Sequence, residues 1–285
     1  MYKVLVTGAT GFIGNYVVEA LLDQGCTVVA TSSQPEKAKK FSWFDRVVYR
    51  SFDLGRFDKS ADYYKYFDTP DAMIHLAWEG LPNYKSEFHL TKNLPRHREF
   101  LFSIIQSGLR NLTVAGTCFE YGMQEGRLSE EVEAKPANPY SEAKNTLRRD
   151  LELFQSQNPF ALKWIRLFYM HGKGQNPNSI LAQLERAIQN QDTVFNMSGG
   201  EQLRDYLPVE TVALYIVRIA LQTKVQGVIN CCSGTPISIK ELVSRYLAER
   251  HYHIKLNLGY YPYPDYEPMA FWGDNTKLKT ILNNE

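Results

Sequence analysis

The sequence predicts an α/β protein: a doubly wound parallel sheet with a smaller lobe interleaved with it. In the first half of the 285 residues, short β-branched runs alternate with segments whose apolar residues recur at helical spacing. That alternation is typical of a parallel sheet with helices on both faces. A glycine-rich turn follows the first strand. The second half has a more mixed pattern and no linker, which indicates a lobe attached to the sheet domain.

The predicted strands are short apolar runs at 3–7, 27–31, 46–49, 72–76, 112–115 and 161–167. The predicted helices cover 12–24, 88–107, 140–154 and 209–221, and another opens at the Ser-Ile-Lys-Glu capping box of 238–241. Gly25 is positioned to end the first helix, and the proline-rich 260–268 predicts a loop. We expect residues 1–165 to form the sheet domain and residues 166–285 most of the lobe, with about 200–222 returning to the sheet domain.

The charge balance argues against a polyanionic partner. Lys and Arg number 32 and Asp and Glu number 31, for a net charge of +1, so we expect neither nucleic acid nor a membrane as a partner. No apolar run approaches the ~20 residues of a membrane span, and the first residues lack a secretory signal. The four cysteines lack the spacing of a zinc site. These features predict a cytoplasmic protein with reduced cysteines and no metal.

The turn after the first strand predicts a dinucleotide site of the Rossmann type. Gly8 allows a tight turn, Gly11 lets the backbone approach a pyrophosphate, and Gly14 lets the helix pack close to the strand. The helix that begins at Phe12 and Ile13 offers free N–H groups to the phosphates. A turn with chance glycines is the alternative, but the strand before it and the helix after it favour the dinucleotide.

The end of the second strand bears on the choice of cofactor. Enzymes that bind NAD place an acid there to hold the ribose 2′-hydroxyl, whereas this chain has Ser32 and Ser33. No carboxylate repels a 2′-phosphate and Lys37 is near, so we expect NADP(H), with NAD(H) possible because no arginine stands beside the strand. Asp53 and Leu54, after the third strand, are placed to meet the adenine.

A tyrosine and a lysine four residues apart provide a general acid/base. Tyr140 and Lys144 fall on one face of a predicted helix. We expect the Lys144 ammonium to lower the pKa of Tyr140 below ~10, which suits proton transfer near neutral pH. Thr117, at the end of the fifth strand, supplies a hydroxyl that can hold a substrate oxygen beside the phenol.

With these residues in place, the chain resembles the extended short-chain dehydrogenase/reductases, the NAD(P)-dependent epimerase/dehydratase family of nucleotide-sugar enzymes. The resemblance covers residues 2 to about 245 and rests on the following segments: TGATGFIG at 7–14, His75-Leu76-Ala77, Thr117 with Tyr121-Gly122, Tyr140 with Lys144, Arg166-Leu-Phe, and RDYLPV at 204–209.

The resemblance implies roles for several residues. Tyr140 is the proton donor or acceptor, Thr117 is its hydroxyl partner, and Lys144 also binds the nicotinamide ribose. Leu76 and Ala77 line the cofactor site, and Arg204 contacts the diphosphate of a sugar nucleotide. We also expect a homodimer.

The segment between Thr117 and Tyr121 narrows the reaction. Sugar-nucleotide 4,6-dehydratases carry an acid pair where this chain has Cys118 and Phe119, so dehydration is disfavoured. Reduction of a 4-keto sugar and 4-epimerisation need only the hydroxyl, the phenol, the lysine and the nicotinamide. The missing acid after the second strand favours an NADPH-dependent reductase, and residues 116–122 resemble dTDP-4-keto-6-deoxyhexose reductases.

Three alternatives stay open: an NAD-dependent nucleotide-sugar 4-epimerase, a 4,6-dehydratase, and a cofactor-binding regulator without catalysis. The expected substrate is a nucleotide-diphosphate sugar, and six residues are predicted to contact it: Trp78, Tyr84, Cys118, Phe168, Tyr169 and Arg204. Phe195 is a further candidate for the sugar pocket.

Overall fold

The computed structural model describes residues 2–283. Its helices are α1 (Phe12–Asp23), α2 (Pro35–Ala38), α3 (Tyr63–Tyr66), α4 (Leu94–Gln106), α5 (Pro139–Gln155), α6 (Ile180–Gln189), α7 (Val209–Leu221), α8 (Ile239–Glu249) and α9 (Thr276–Leu282). The strands of the first half are β1 (Lys3–Thr7), β2 (Thr27–Ser32), β3 (Val48–Ser51), β4 (Ala72–His75), β5 (Asn111–Thr117) and β6 (Gly126–Leu128). Those of the second half are β7 (Ala161–Leu167), β8 (Tyr169–His171), β9 (Val194–Asn196), β10 (Leu203–Arg204), β11 (Tyr206–Pro208), β12 (Gly227–Cys231), β13 (Ile237–Ser238), β14 (Lys255–Asn257) and β15 (Phe271–Gly273).

A seven-stranded sheet in the order β12-β7-β5-β4-β1-β2-β3 forms the centre of the molecule. Every pairing in it is parallel, which requires crossover connections over its faces. Residues of α1 and α7 pack on one face, and residues of α4 and α5 pack on the other. This confirms the predicted doubly wound fold.

The strands are buried because helices cover both faces. Val4 and Val6 belong to the apolar cluster under α1 and α7, whereas Leu5 belongs to the cluster under α4 and α5. The alternation follows from the two-residue period of a strand. Trp164 of β7 is fully buried in the second cluster.

Among the differences from the sequence prediction, two concern the central sheet and the helix that flanks it. The pattern does not predict strand β12, because its short run lies in the mixed second half, yet this strand completes the edge of the sheet beside β7. The helix expected over 88–107 begins as a π-helical turn at His89–Asn93 and becomes α-helical at Leu94. Pro95 has no N–H for the regular ladder, so it lies at the start of α4.

The second half contributes two-stranded sheets and a third apolar cluster. Leu184 of α6, Val243 of α8 and Met197 pack together there. Ser238 caps α8 by accepting from the Glu241 N–H at 3.1 Å, which is one half of the expected capping box. Across residues 2–283, the structure contains no helix long and apolar enough to cross a membrane.

Candidate active site

Glycines shape the turn between β1 and α1. Gly8 has φ of +69°, and a Cβ there would lie 2.8 Å from the Ala77 nitrogen. A Cβ at Gly14 would lie 2.1 Å from the Gly8 carbonyl oxygen. A side chain at either position would therefore collide with backbone. Gly11 is the N-cap of α1, and its N–H donates to the Gly8 carbonyl at 2.9 Å. The N-terminus of α1 therefore faces a turn in which neither Gly8 nor Gly14 has room for a side chain, and this fits the close approach of a pyrophosphate.

A cleft of about 250 Å³ opens along the carboxyl ends of the parallel strands. Because those ends share one edge of the sheet, residues far apart in sequence meet there. Its lining includes the predicted Gly8, Gly11, Ser32, Ser33, Asp53, Leu54, Leu76, Ala77 and Trp78. Residues that no sequence pattern predicts also line the cleft, among them Glu79 after β4 and Arg96 and His97 of α4. Phe12 and Ile13 form the first turn of α1 beside it.

Ser32, at the end of β2, and Asp53, after β3, have partners within the protein. The Ser32 hydroxyl lies 2.9 Å from the Tyr49 hydroxyl, whereas Ser33 and Lys37 are exposed at the cleft. Asp53 Oδ1 accepts from the Gly55 N–H at 2.8 Å, and its carboxylate lies 3.7 Å from Arg56. Asp53 therefore shapes its own loop while it lines the cleft.

The structure brings Thr117, Tyr140 and Lys144 together at the end of β5. The Thr117 hydroxyl accepts from the Phe119 N–H at 3.2 Å and is hydrogen-bonded to the Tyr140 side chain. Tyr140 and Lys144 lie on the buried face of α5. The Lys144 ammonium donates to the Ala115 carbonyl at 2.8 Å. A phenol, a hydroxyl and an ammonium thus converge where β5 and α5 meet.

The expected pKa of Tyr140, below ~10, is wrong, because groups other than Lys144 dominate the shift. Burial raises the pKa of Tyr140, the nearby Tyr84 and Glu120 raise it further, and the hydrogen bond with Thr117 opposes them. Burial also lowers the pKa of Lys144 to about 7, and the Glu120 charge opposes that shift. The spacing of Tyr140 and Lys144 places them on one face, but it carries no information on their burial. With these groups around it, the Tyr140 phenol keeps its proton at neutral pH.

Glu120 is a buried positioning group that the sequence pattern does not reveal. Its Oε1 accepts from the Thr117 N–H at 2.9 Å and from the Trp164 indole at 2.9 Å. Its Oε2 accepts from Arg166 Nε at 2.9 Å. The side chains of Arg166 and Glu120 are 2% and 0% exposed. Thr117 is therefore held at both its N–H and its hydroxyl.

Aromatic rings pack around Tyr140. The Tyr84 ring centroid lies 5.5 Å from that of Tyr140 and 5.0 Å from that of Phe119. Cys118 is buried in a cluster with Phe168, and burial raises the pKa of its thiol. Phe168 packs inside this cluster, and Phe195 packs inside the cluster of the lobe. Tyr84 therefore packs against the Tyr140 ring, and Phe119 packs against Tyr84.

Arg204 and Tyr169 share a carboxylate. Arg204 Nε lies 3.4 Å from Glu267 Oε2, and the Tyr169 hydroxyl is hydrogen-bonded to the same oxygen. The guanidinium lies 4.7 Å from the centre of the Phe271 ring. Glu267 lies in the proline-rich loop predicted over 260–268. It is far from Arg204 along the chain, so no local sequence pattern indicates this ion pair.

The comparisons with known proteins agree with this geometry. Residues 4–232 match the model of the NAD dependent epimerase/dehydratase family. The chain is 32% identical, over 95% of its length and 99% of the relative's, to dTDP-6-deoxy-L-talose 4-dehydrogenase (NAD(+)) of Aggregatibacter actinomycetemcomitans. It is 26% identical, over 99% of its length and 92% of the relative's, to GDP-6-deoxy-D-talose 4-dehydrogenase of the same organism.

A solved structure shows the same fold. UDP-glucuronic acid 4-epimerase from Bacillus cereus, in complex with UDP-glucuronic acid and NAD, has a TM-score of 0.82 and 24% identity, covering 99% of this chain and 93% of that chain. The extent of the family match and the identity to the first relative carry the assignment: the chain belongs to the NAD dependent epimerase/dehydratase family.

Proposed function

We propose that the chain is a nucleotide-sugar 4-ketoreductase, which reduces the C4 carbonyl of a nucleotide-linked 6-deoxyhexose, with dTDP as the expected nucleotide. The observation that carries this proposal is the hydroxyl, phenol and ammonium triad beside Cys118 and Phe119, which stand where 4,6-dehydratases carry an acid pair. The first relative is named as a 4-dehydrogenase of a dTDP-6-deoxy sugar, and dehydrogenation at C4 is the reverse of the proposed reduction. An enzyme catalyses both directions through one transition state, so the same residues serve.

The roles of the residues follow from their ionisation and contacts. The nicotinamide, when bound, supplies or accepts the hydride. The neutral Tyr140 phenol donates its proton to the alkoxide that forms at O4, and Thr117 orients that oxygen. The Lys144 ammonium stabilises the phenolate that remains. We place the sugar nucleotide between residues 1–165 and the lobe of 166–285, with Arg204 moving from Glu267 to the diphosphate.

We propose NAD(H) as the cofactor, and NADP(H) is the alternative. The relatives support NAD(H), since the first one is named for NAD(+). The missing acid after β2, together with the exposed Ser33 and Lys37, favours a 2′-phosphate. The bond between Ser32 and Tyr49 argues in the other direction, because it occupies one of the two expected donors.

A 4-epimerase is the second candidate, because the fold and the triad also serve that reaction. The test incubates the protein with dTDP-4-keto-6-deoxyglucose, its L-configured isomer and a saturated UDP-hexose, and follows NADH, NADPH and the products. Consumption of about one reduced cofactor per 4-keto sugar supports the reductase. Conversion of the UDP-hexose to its 4-epimer without net cofactor consumption would replace it by the epimerase.

We also propose a homodimer formed through the outer face of α4 and α5. Leu153 is 71% exposed there, next to the stacked rings of Phe102 and Phe154, whose centroids lie 3.9 Å apart. Leu153→Glu places a charge on this face, and we expect it to convert the dimer to a monomer in light scattering. Lys279→Glu, at an exposed position of α9, is the control. A dimer that survives Leu153→Glu would exclude this face.

A further inference from the structure

An indole ring lies directly against the lysine of the triad. The Lys144 Nζ is 3.9 Å from the centre of the Trp78 ring. Trp78 follows β4 and lines the cleft, where it is partly exposed. The Tyr140 ring meets the indole edge-on at 6.1 Å between centroids. Trp78 therefore contacts both ionisable residues of the triad.

Two histidines fix the indole in this position. The indole N–H donates to His89 Nδ1 at 3.1 Å. The Trp78 ring also stacks on His97, with centroids 4.5 Å apart and an interplanar angle of 24°. A ring held at its edge and on its face has little freedom to turn. The indole thus presents a fixed face to the ammonium.

A buried relay holds His97 in turn. His97 Nδ1 lies 2.7 Å from His75 Nε2, and His75 Nδ1 lies 2.8 Å from the Thr7 hydroxyl. A bond between two imidazoles needs one donor and one acceptor. Burial lowers the pKa of His75 to about 3 and holds that of His97 well below its usual range. Both rings are therefore neutral near neutral pH. The relay connects the glycine-turn strand β1 to the stack under Trp78.

The ammonium has one hydrogen-bond acceptor and one charged neighbour of opposite sign among residues 2–283. It donates to the Ala115 carbonyl, and the Glu120 charge raises its pKa. Its positive charge lowers the pKa of three histidine rings on β4 and on the α4 side, those of His75, His89 and His97. The titratable neighbour on its own helix is the Tyr140 phenol. A cation over an indole face is stabilised, and more so where water is excluded.

We propose that Trp78 is a positioning residue for Lys144, whose ammonium it holds in the charged form and in one direction through a cation–π contact. The ring and the Ala115 carbonyl together fix where the ammonium lies. This proposal rests on the proposed function only through the role given to Lys144. Its primary test therefore measures the lysine directly, without turnover.

The test titrates Lys144 by NMR in protein labelled at the lysine ε-carbons, with the resonance assigned from Lys144→Met. Trp78→Leu removes the ring and should lower the pKa of Lys144 by about half a unit to one unit. Trp78→Phe retains a smaller ring and should give a smaller shift in the same direction. Trp272→Leu, the same change on β15, should give none. Trp78→Met is a second ringless variant in case Trp78→Leu does not fold.

An unchanged Lys144 pKa in a folded ringless variant would overturn the proposal. The second readout is the pH profile of turnover, whose alkaline limb should move to lower pH in Trp78→Leu and return toward that of the parent protein in Trp78→Phe. Absence of turnover with every sugar nucleotide would reject the proposed function, while the NMR titration would still decide the role of Trp78.

Discussion

At the scale of single residues, the ionisation of Tyr140 bears on the proposed reduction. A buried phenol with a raised pKa holds its proton, so in that reaction it donates to a forming alkoxide without a prior ionisation step. The reverse reaction starts from the phenolate, which is the minor form of a phenol with a raised pKa. The Lys144 cation stabilises that phenolate in both directions, because the two directions share one transition state.

Replacing Tyr140 by Phe tests the acid directly. The variant keeps the ring and its packing but loses the proton donor, and general acid/base groups contribute ~10²–10⁴-fold. We expect kcat for reduction of the 4-keto sugar to fall by about that factor, while the Kd of the dinucleotide, measured by calorimetry, stays the same. Tyr252→Phe, at an exposed tyrosine, is the matched control. Turnover close to that of the parent protein would remove Tyr140 from the mechanism.

Replacing Ser32 by Asp tests the cofactor site. A carboxylate there repels a 2′-phosphate and accepts from a ribose 2′-hydroxyl, and the Tyr49 hydroxyl, 2.9 Å from Ser32 Oγ, is positioned to donate to it. We expect the ratio of the Kd for NADP to the Kd for NAD to rise by on the order of tenfold or more. Ser156→Asp adds the same charge at a remote exposed position. An unchanged ratio would place the 2′ position elsewhere.

The sequence allows some of these residues to be predicted and not others, for physical reasons. Tyr140, Lys144 and Thr117 obey local rules, namely helical spacing and the end of a strand. The partners of Glu120 and Glu267 are two arginines that lie 46 and 63 residues away along the chain, Arg166 and Arg204. Such pairings depend on the tertiary fold, and so does the desolvation that reverses the expected shift of the Tyr140 pKa.

At the scale of elements, the turn from β1 to α1 is the most predictable part of the site. Gly11 and Gly14 lie against the Gly8 carbonyl oxygen, and Gly8 has φ of +69°, so most of the requirement for glycine is local. The contact of Gly8 with Ala77 depends in addition on the position of β4. Strand β12 and the small sheets of the lobe lack such a signature, because pairing with distant strands defines them. The π-helical turn before α4 also has no signature in the sequence, because the spacing of apolar residues does not distinguish a π-helical turn from an α-helical one.

Gly14→Ala tests the close packing of α1 on β1. The added Cβ would lie 2.1 Å from the Gly8 carbonyl oxygen, so the helix must shift. Overpacking of this kind costs ~1–3 kcal/mol. We expect denaturant unfolding to show a loss of this size and the Kd of the dinucleotide to rise.

Gly25→Ala is the matched control for this change. Gly25 has φ of +72°, and a Cβ added there would meet no heavy atom within 4 Å. The substitution should therefore cost only backbone strain and leave the Kd of the dinucleotide unchanged. A Kd that rises equally in both variants would show that the effect of Gly14→Ala comes from general destabilisation and not from the packing of α1 on β1.

At the scale of the whole molecule, the sheet separates two kinds of buried charge. The Glu120 pair and Lys144 lie at the carboxyl edge, beside the cleft. Lys163 is fully buried on β7, where its ammonium donates to Asn111 Oδ1 at 2.8 Å and to the Ala220 carbonyl at 3.0 Å. Because it lies in the first half of β7 and bonds to the first residue of β5, it belongs to the edge away from the cleft. The Lys163 charge therefore affects the stability of the fold rather than the ionisation of the groups at the cleft.

The pH dependence of stability should carry a contribution from Lys163. Burial lowers its pKa to about 8 in the folded protein, against about 10.4 in an unfolded chain. Between these values the unfolded chain binds the proton that the folded chain has released, so this residue makes the free energy of unfolding rise with pH, by up to about 1.4 kcal/mol per pH unit. Below about pH 8 its cost is fully present, and above about 10.4 it is gone.

Lys163→Met removes this contribution. Thiols and phenols whose pKa is raised by burial act in the opposite direction, so the quantity to compare is the difference between the parent protein and the variant. We expect the free energy of unfolding of Lys163→Met, measured by urea denaturation from about pH 7 to 10, to lose the upward contribution above about pH 8. Lys279→Met, at an exposed position, should follow the parent protein. Parallel curves for the parent protein and Lys163→Met would mean that Lys163 keeps its proton in the fold, held by Asn111 and the Ala220 carbonyl.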